Sequence, residues 1–355
     1  MQYSVIVASA MMSAFAMPFI LDISHQNKLY DTAGGRKNHN GNIPRLGGLG
    51  IFSGFVVIVA AFLALQNSAV SRELLSRGPA LLPFAVGAGL MHFIGFLDDL
   101  KARPALLKLG VQIIAALVVV LAGYRFRGFG FRADVLSGPL SWLSIVLSAG
   151  WIVGVANAIN FIDGLDGLAG SLAFIAAMAF GIYYYRMGDT SSSFLCLTIA
   201  GAVVGFLFFN FPAPSAKIFM GDSGSLFLGF SLAVMPFLGQ TQGASTGIGL
   251  GVLPSMTLLG LPVFDALRVI MLRMRSGENP MQPDRRHIHY LFADSGFKTI
   301  SVIAILDSVA ILLAGSIFMA AYMPQSLGYM LLLISIGILF ILFRYAMSLR
   351  AAARA

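Results

Sequence analysis

The sequence predicts an all-α, polytopic integral membrane protein with about eleven transmembrane helices, the N-terminus outside and the C-terminus cytoplasmic. Three observations carry this. First, 58% of the 355 residues are hydrophobic and only 11% are charged, and the mean hydropathy is +0.85. A soluble domain carries roughly 25% charged residues, so a soluble enzyme, a disordered chain and a nucleic-acid-binding domain are excluded. Second, apolar runs of about 20 residues, the length that crosses a bilayer, recur along the chain. Third, the basic residues fall unequally between the intervening loops.

The runs lie at 3–22, 46–66, 79–97, 105–123, 138–157, 168–187, 192–210, 225–240, 247–271, 300–321 and 326–346. No Lys or Arg precedes the first, whereas a secretory signal begins with a basic segment, so it reads as a spanning helix. In the second, Gly50 and Gly54 are four apart, a spacing that suits close helix packing in lipid. The eighth is short, and the ninth carries Asp265 and Arg268 three apart, which reads as an ion pair near the cytoplasmic end. Cys196, the one cysteine, lies inside an apolar run and reads as a small buried filler. With no repeat and no Pro/Ser-rich linker, residues 1–355 form a single membrane domain.

With the N-terminus outside, the loops after odd-numbered runs and the C-terminal tail hold 17 of the 23 Lys and Arg residues. That bias matches cytoplasmic loops facing anionic lipid. Most acids and histidines follow the same side. Five loops, near 23–45, 98–104, 158–167, 211–224 and 272–299, bring polar groups to one membrane face and are expected to form an active site there.

The third run ends in Asp98-Asp99. Adjacent carboxylates repel unless a cation lies beside them, and Mg²⁺ takes one or two carboxylates plus substrate phosphates; either could instead act as a base. Asn157, Asn160, Asp163 and Asp166 fall within ten residues. If helical, each i,i+3 pair shares a face; if the chain breaks at Gly164 and Gly167, it makes a tight turn. Gly221-Asp222-Ser223-Gly224 opens the eighth run, where free amides can meet an anion and Asp222 can ligate a metal; Phe219 precedes it, as a core residue or a platform for a base. The longest loop holds Asp284-Arg285-Arg286-His287-Ile-His289. The arginines point to phosphate, against a basic stretch lying on lipid. In the first loop, Lys37, His39 and Arg45 supply basic groups that could neutralise a diphosphate.

Taken in order, Ile43-Pro44-Arg45-Leu-Gly-Gly, Asp98-Asp99, Asn157 through Gly170, Phe219 through Ser225 and Pro283-Asp-Arg-Arg-His287-Ile-His289 resemble the polyprenyl-phosphate N-acetylhexosamine-1-phosphate transferase family. The likeness covers essentially the whole chain and is greater to the WecA- and TagO-like branch than to MraY. It departs at Tyr290, where the family often has a third histidine. The resemblance implies a bacterial cytoplasmic-membrane enzyme with its site facing the cytoplasm. It would transfer an N-acetylhexosamine 1-phosphate, GlcNAc-1-phosphate first among candidates, from a UDP-sugar to undecaprenyl phosphate, releasing UMP and initiating a cell-envelope glycan. Mg²⁺ is the expected cofactor, with Mn²⁺ able to replace it. Membrane lipids and a second copy of the chain are candidate partners; nucleic acid is not.

By the same resemblance, Asp98 deprotonates or orients the lipid phosphate, with Asp99 the second catalytic carboxylate, and Asp99 and Asp222 hold the metal. Asn157, Asn160, Asp163 and Asp166 bind the nucleotide sugar with Phe219 beside the uracil. His287 and His289 contact the diphosphate, and Lys37, His39, Arg45, Arg285 and Arg286 bind substrate charge. UDP-N-acetylfucosamine and UDP-MurNAc-pentapeptide are alternative donors. A secondary transporter is the alternative of another class, but transporters place their polar site near the bilayer midplane.

Overall fold

The computed structural model describes residues 4–30, 43–66, 68–130, 135–136, 138–212, 215–240, 249–279 and 284–352. These are almost wholly helical. The helices are α1 (Ser4–Gln26), α2 (Gly47–Leu65), α3 (Ala69–Ser76), α4 (Gly78–Leu100), α5 (Ala105–Leu121), α6 (Ser141–Ile162) and α7 (Leu168–Arg186). There follow α8 (Thr190–Asn210), α9 (Gly221–Val234), α10 (Val252–Leu258), α11 (Gly260–Arg275), α12 (Ile288–Asp294), α13 (Thr299–Tyr322) and α14 (Gln325–Ala352).

Among the described residues, nine helices are long and apolar enough to span a bilayer, counting the six-residue 3-10 extension of α9 to Gln240. The 17-residue α5 falls just short of that length. The ninth apolar run, expected as one span, is two helices: α10 and α11 meet at Leu259–Gly260 with an 89° bend. Hydropathy continues across this break, so it left no mark in the apolar pattern. Two short helices lie between spans. Ser68 caps α3 by accepting the Ser71 amide (3.0 Å), and α12 begins within the His287-Ile-His289 string, with His287 at its N-cap.

The bundle is built around α9, 89% of whose span is buried against 22% for α1. Helices α2, α4, α6 and α7 pack around it. The expected close packing at Gly54 is present: Ser9 Oγ of α1 lies 3.1 Å from Gly54 O and 2.8 Å from Thr198 O of α8. At the start of α4, 21 residues from Asp98, the buried Arg77 donates to Asp189 Oδ1 (2.9 Å) and to Leu238 O (2.7 Å). Ser191, Ser192 and Glu73 complete that cluster. A buried charge pair depends on such additional hydrogen bonds to offset its desolvation.

Candidate active site

Two segments, the chain entering α2 and the chain entering α9, are tied together at the Asp98 end of α4. Phe219 N donates to Pro44 O (2.7 Å), Gly47 N to Phe219 O (2.9 Å) and Gly48 N to Met220 O (2.8 Å). This ladder places Arg45 beside Phe219 at the entry to α9. Gly221, the first residue of α9, has φ +72°, a left-handed conformation that favours glycine. A Cβ there would also collide with Arg45 O and the Asp99 carboxylate.

Consecutive helical residues do not share a face, and the Asp98-Asp99 doublet diverges accordingly. Asp99 turns to α9 and accepts the amides of Asp222 (2.8 Å) and Ser223 (2.9 Å), one on each oxygen. It thus caps the exposed donors of the α9 N-terminus. One and two turns nearer the α4 start, Gly95 and His92 keep the two helices close, with His92 Nδ1 donating to Ser223 O (3.2 Å). Asp98 turns the other way: Oδ1 accepts the Arg103 amide (2.7 Å), and Oδ2 lies 3.3 Å from Lys108 Nζ. The same ammonium donates to Asp222 Oδ2 (2.9 Å), and Asp222 Oδ1 accepts from Asn160 Nδ2 (3.0 Å).

Asp98 and Asp222 therefore converge on one cation-sized position filled by Lys108. A carboxylate pair of that kind fits Mg²⁺, which completes its shell with phosphates and water. Among the described residues, no group of three or more His, Cys, Asp or Glu forms an all-protein cage. Asp99, with an amide on each oxygen, faces α9 instead.

The Asn157–Gly170 segment combines the two geometries its spacing allows. Asn157 and Asn160 lie on one face of α6, which ends at Ile162. Asp163 and Asp166 lie in the turn that follows, where Gly164 N donates to Ile162 O (2.8 Å) and Gly167 N to Asn210 Oδ1 (2.8 Å).

Two cavities open here. A polar pocket of about 110 Å³ is lined by Arg45, Asn160, Asp163, Asp166, Phe219 and Asp222, among others. A largely apolar groove of about 460 Å³ runs between α5, α6 and α11, past Lys108, Leu109, Gly154, Phe161, Val263 and Leu267. Asn160 and Asp222 line both. Asn157, expected with the nucleotide sugar, lies in the apolar groove and pairs with Gln112: Asn157 Nδ2 donates to Gln112 Oε1 (2.6 Å).

The histidine string is held from α11. Asp265 Oδ2 lies 2.8 Å from His287 Nδ1, and its Oδ1 accepts the Ile288 amide (3.0 Å). A carboxylate only accepts, so Nδ1 carries the proton and Nε2 is the free ring nitrogen. The expected Asp265–Arg268 ion pair forms at 2.8 Å, and Arg268 also reaches Arg286 O. His289 is fully buried, its ring parallel to His287 (7°, centroids 5.9 Å). Neither of its nitrogens has a hydrogen-bond partner among the described residues. A Cβ on Gly164 would strike His289 Nε2, so the ring lies against the turn between Asp163 and Asp166. Arg285 pairs with Asp294 (2.9 Å), and Arg286 with Asp284 (2.7 Å) and Glu278; neither lines the two cavities. Lys37 and His39 lie outside the described residues.

Sequence reasoning counted Lys108 only as a basic loop residue and did not single out Gln112. Their spacing of four places both on one face of α5, and that is the signal that could have found them.

Residues 81–240 match the family model described as glycosyl transferase family 4. A Bacillus subtilis protein named "Probable undecaprenyl-phosphate N-acetylglucosaminyl 1-phosphate transferase" is 34% identical over 77% of this chain and 72% of its own length. The chain belongs to this family. Two further relatives are named undecaprenyl-phosphate alpha-N-acetylglucosaminyl 1-phosphate transferase. The Yersinia pestis protein is 29% identical over 84% of this chain and 80% of its own, and the Escherichia coli K12 protein 28% over 86% and 80%. The matched family region runs from α4 to the end of the α9 span, and so contains Asp98, Asp99, Lys108, Asn160, Asp163, Asp166 and Asp222.

Proposed function

We propose that this family 4 protein transfers N-acetylglucosamine 1-phosphate from UDP-N-acetylglucosamine to undecaprenyl phosphate, releasing UMP. The supporting observation is the junction of the two cavities at Asn160 and Asp222. A lipid phosphate and a nucleotide diphosphate must meet where an apolar groove opens into a polar pocket. The relatives' names carry the same donor sugar and lipid.

In this reading an oxygen of the lipid phosphate attacks the β-phosphorus of the donor. The bond from that phosphorus to the bridging oxygen breaks, and the oxygen leaves with UMP. Asp98 takes a proton remaining on the lipid phosphate and orients the attacking oxygen. Asp98 and Asp222 would hold Mg²⁺, or Mn²⁺ in its place, which would supply charge neutralisation, the main requirement of phosphoryl transfer. Asp99 positions Asp222 by holding the α9 N-terminus. Arg45, Asp163, Asp166 and Phe219 take the nucleotide-sugar side, Asn160 the junction, and Asn157 and Gln112 the lipid side. His287, with Nδ1 tied to Asp265, presents Nε2 toward the diphosphate, and His289 packs behind it. A cytoplasmic nucleotide sugar requires the site to face the cytoplasm, as the distribution of basic residues also does.

The test is UMP release by the purified protein with undecaprenyl phosphate and a donor panel, with and without Mg²⁺. UDP-GlcNAc should be the best donor, and turnover should require the cation. Asp98→Asn should lose about a hundredfold or more, the scale of a proton-transfer group. Release that ignored Mg²⁺ would remove the metal assignment. No UMP from any donor, with solute moved across liposomes, would replace the reading with transport.

A further inference from the structure

We propose that Lys108 is a place-holder for the divalent cation, and that once displaced it clamps the phosphate of the lipid substrate. This rests on the function proposed above and names the residue that couples cation to lipid.

Lys108 Nζ bridges Asp98 Oδ2 (3.3 Å) and Asp222 Oδ2 (2.9 Å). It therefore fills the position on which the two carboxylates converge. A divalent cation between them would lie within a few ångströms of the ammonium, and like charges at that distance repel strongly. The two cannot occupy the position together. The remaining carboxylate oxygens are held independently of Lys108, by the Arg103 amide and by Asn160, so the acids keep their places when it leaves.

The destination is set by the rest of the side chain. Lys108 lines the apolar groove, one turn of α5 from Gln112, and its side chain is 24% exposed. A flexible four-carbon stem carrying three donors can swing without backbone movement. Turned away from the carboxylates, the ammonium enters the mouth of the groove at the Asn160–Asp222 junction, where the phosphate of a lipid lying in the groove must sit. Before the cation binds, Lys108 neutralises the two acids; afterwards it supplies positive charge to the incoming phosphate. Cation binding thus prepares the lipid site, and by linkage lipid phosphate strengthens cation binding.

The experiment is lysine footprinting of the full-length wild-type protein in detergent, with acetic anhydride and peptide mass spectrometry. Mg²⁺ alone should raise acetylation of Lys108 severalfold, and undecaprenyl phosphate added on top should lower it again. Acetylation unchanged or lowered by Mg²⁺ overturns the exchange; acetylation raised by Mg²⁺ but indifferent to the lipid overturns the clamp. A parallel titration reads free Mn²⁺ by electron paramagnetic resonance. Lys108→Met should bind Mn²⁺ about tenfold tighter than wild type, and Lys108→Arg, which keeps the charge, near wild type. Equal or weaker binding by Lys108→Met overturns the place-holder. A protein that releases UMP with Lys108 indifferent to Mg²⁺ loses this inference alone; one that shows the exchange but releases no UMP from any donor loses the proposed function.

Discussion

Asp98, Asp99 and Asp222 carry formally identical groups, and their partners give them different work. Asp99 accepts two α9 amides, and leaving one such buried donor without its acceptor costs about 1–3 kcal/mol. Asp99→Asn should therefore lose one of them and lower the melting temperature by several degrees along with activity. Asp222 meets only side chains, on a partly exposed surface, where an ion pair adds about 1 kcal/mol or less. Asp222→Asn should lose turnover with little change in melting. Comparing turnover and melting curves of both variants separates positioning from chemistry; equal thermal losses would contradict the division. The doublet was legible in the sequence, but its division of labour was not. Asp99's partners lie more than 120 residues away, and nothing local marks which carboxylate α9 needs. His289 adds a pH dependence. Burial pushes its pKa from 6.5 down to about 3, the nearby Asp265 carboxylate opposing only in part. The unfolded chain takes a proton near pH 6.5 while the folded protein refuses it, so stability drains as pH falls from about 6.5 to about 3, by up to about 1.4 kcal/mol per pH unit. Asp284 acts in the same direction at lower pH. Burial opposes its charge, but Arg273 and Arg286 outweigh burial and hold its pKa below 3.8. The loss of melting temperature between pH 7 and 4.5 should be smaller in His289→Gln than in wild type; equal losses would count against a buried neutral imidazole.

At the scale of elements, α9 is fixed by α4 and by the 43–48 segment, and α6 and α11 shape the groove beside it. Gly150 and Gly154 of α6 both line that groove, and a Cβ on either meets nothing within 4 Å. Gly154→Phe should fit without strain and fill part of the about 460 Å³ space. It should raise KM for undecaprenyl phosphate about tenfold and leave KM for the nucleotide sugar within twofold; a rise in both would place the lipid elsewhere. At the other end of α4, Arg77→Met would strand the buried Asp189 carboxylate at a cost of about 3–5 kcal/mol. Adding Asp189→Asn should recover part of the lost melting temperature, because the two act as one unit. Each of the eleven apolar runs holds helix, since hydropathy reports length and lipid contact directly. The bend between α10 and α11 was hidden, because an apolar segment reads alike whether it crosses the bilayer or turns along the groove.

The whole molecule places a lipid-sized groove and a polar pocket side by side, with Asn160 and Asp222 in both walls. The polar side was legible as motifs, because amides and acids crowded into short turns stand out in a chain with 11% charged residues. The groove was not, because its lining residues are ordinary in composition and meet only through the packing of α5, α6 and α11. The central claim is that Asp222 stands where the two substrates meet. The most direct measurement compares UMP release from UDP-GlcNAc and undecaprenyl phosphate by wild-type protein and Asp222→Asn, each checked for an intact melting transition. Release matched one for one by lipid-diphosphate-linked sugar in wild type, and reduced about a hundredfold or more in the variant, the scale of losing one element of transition-state charge stabilisation, is the predicted result. A folded Asp222→Asn protein with near wild-type turnover would contradict it.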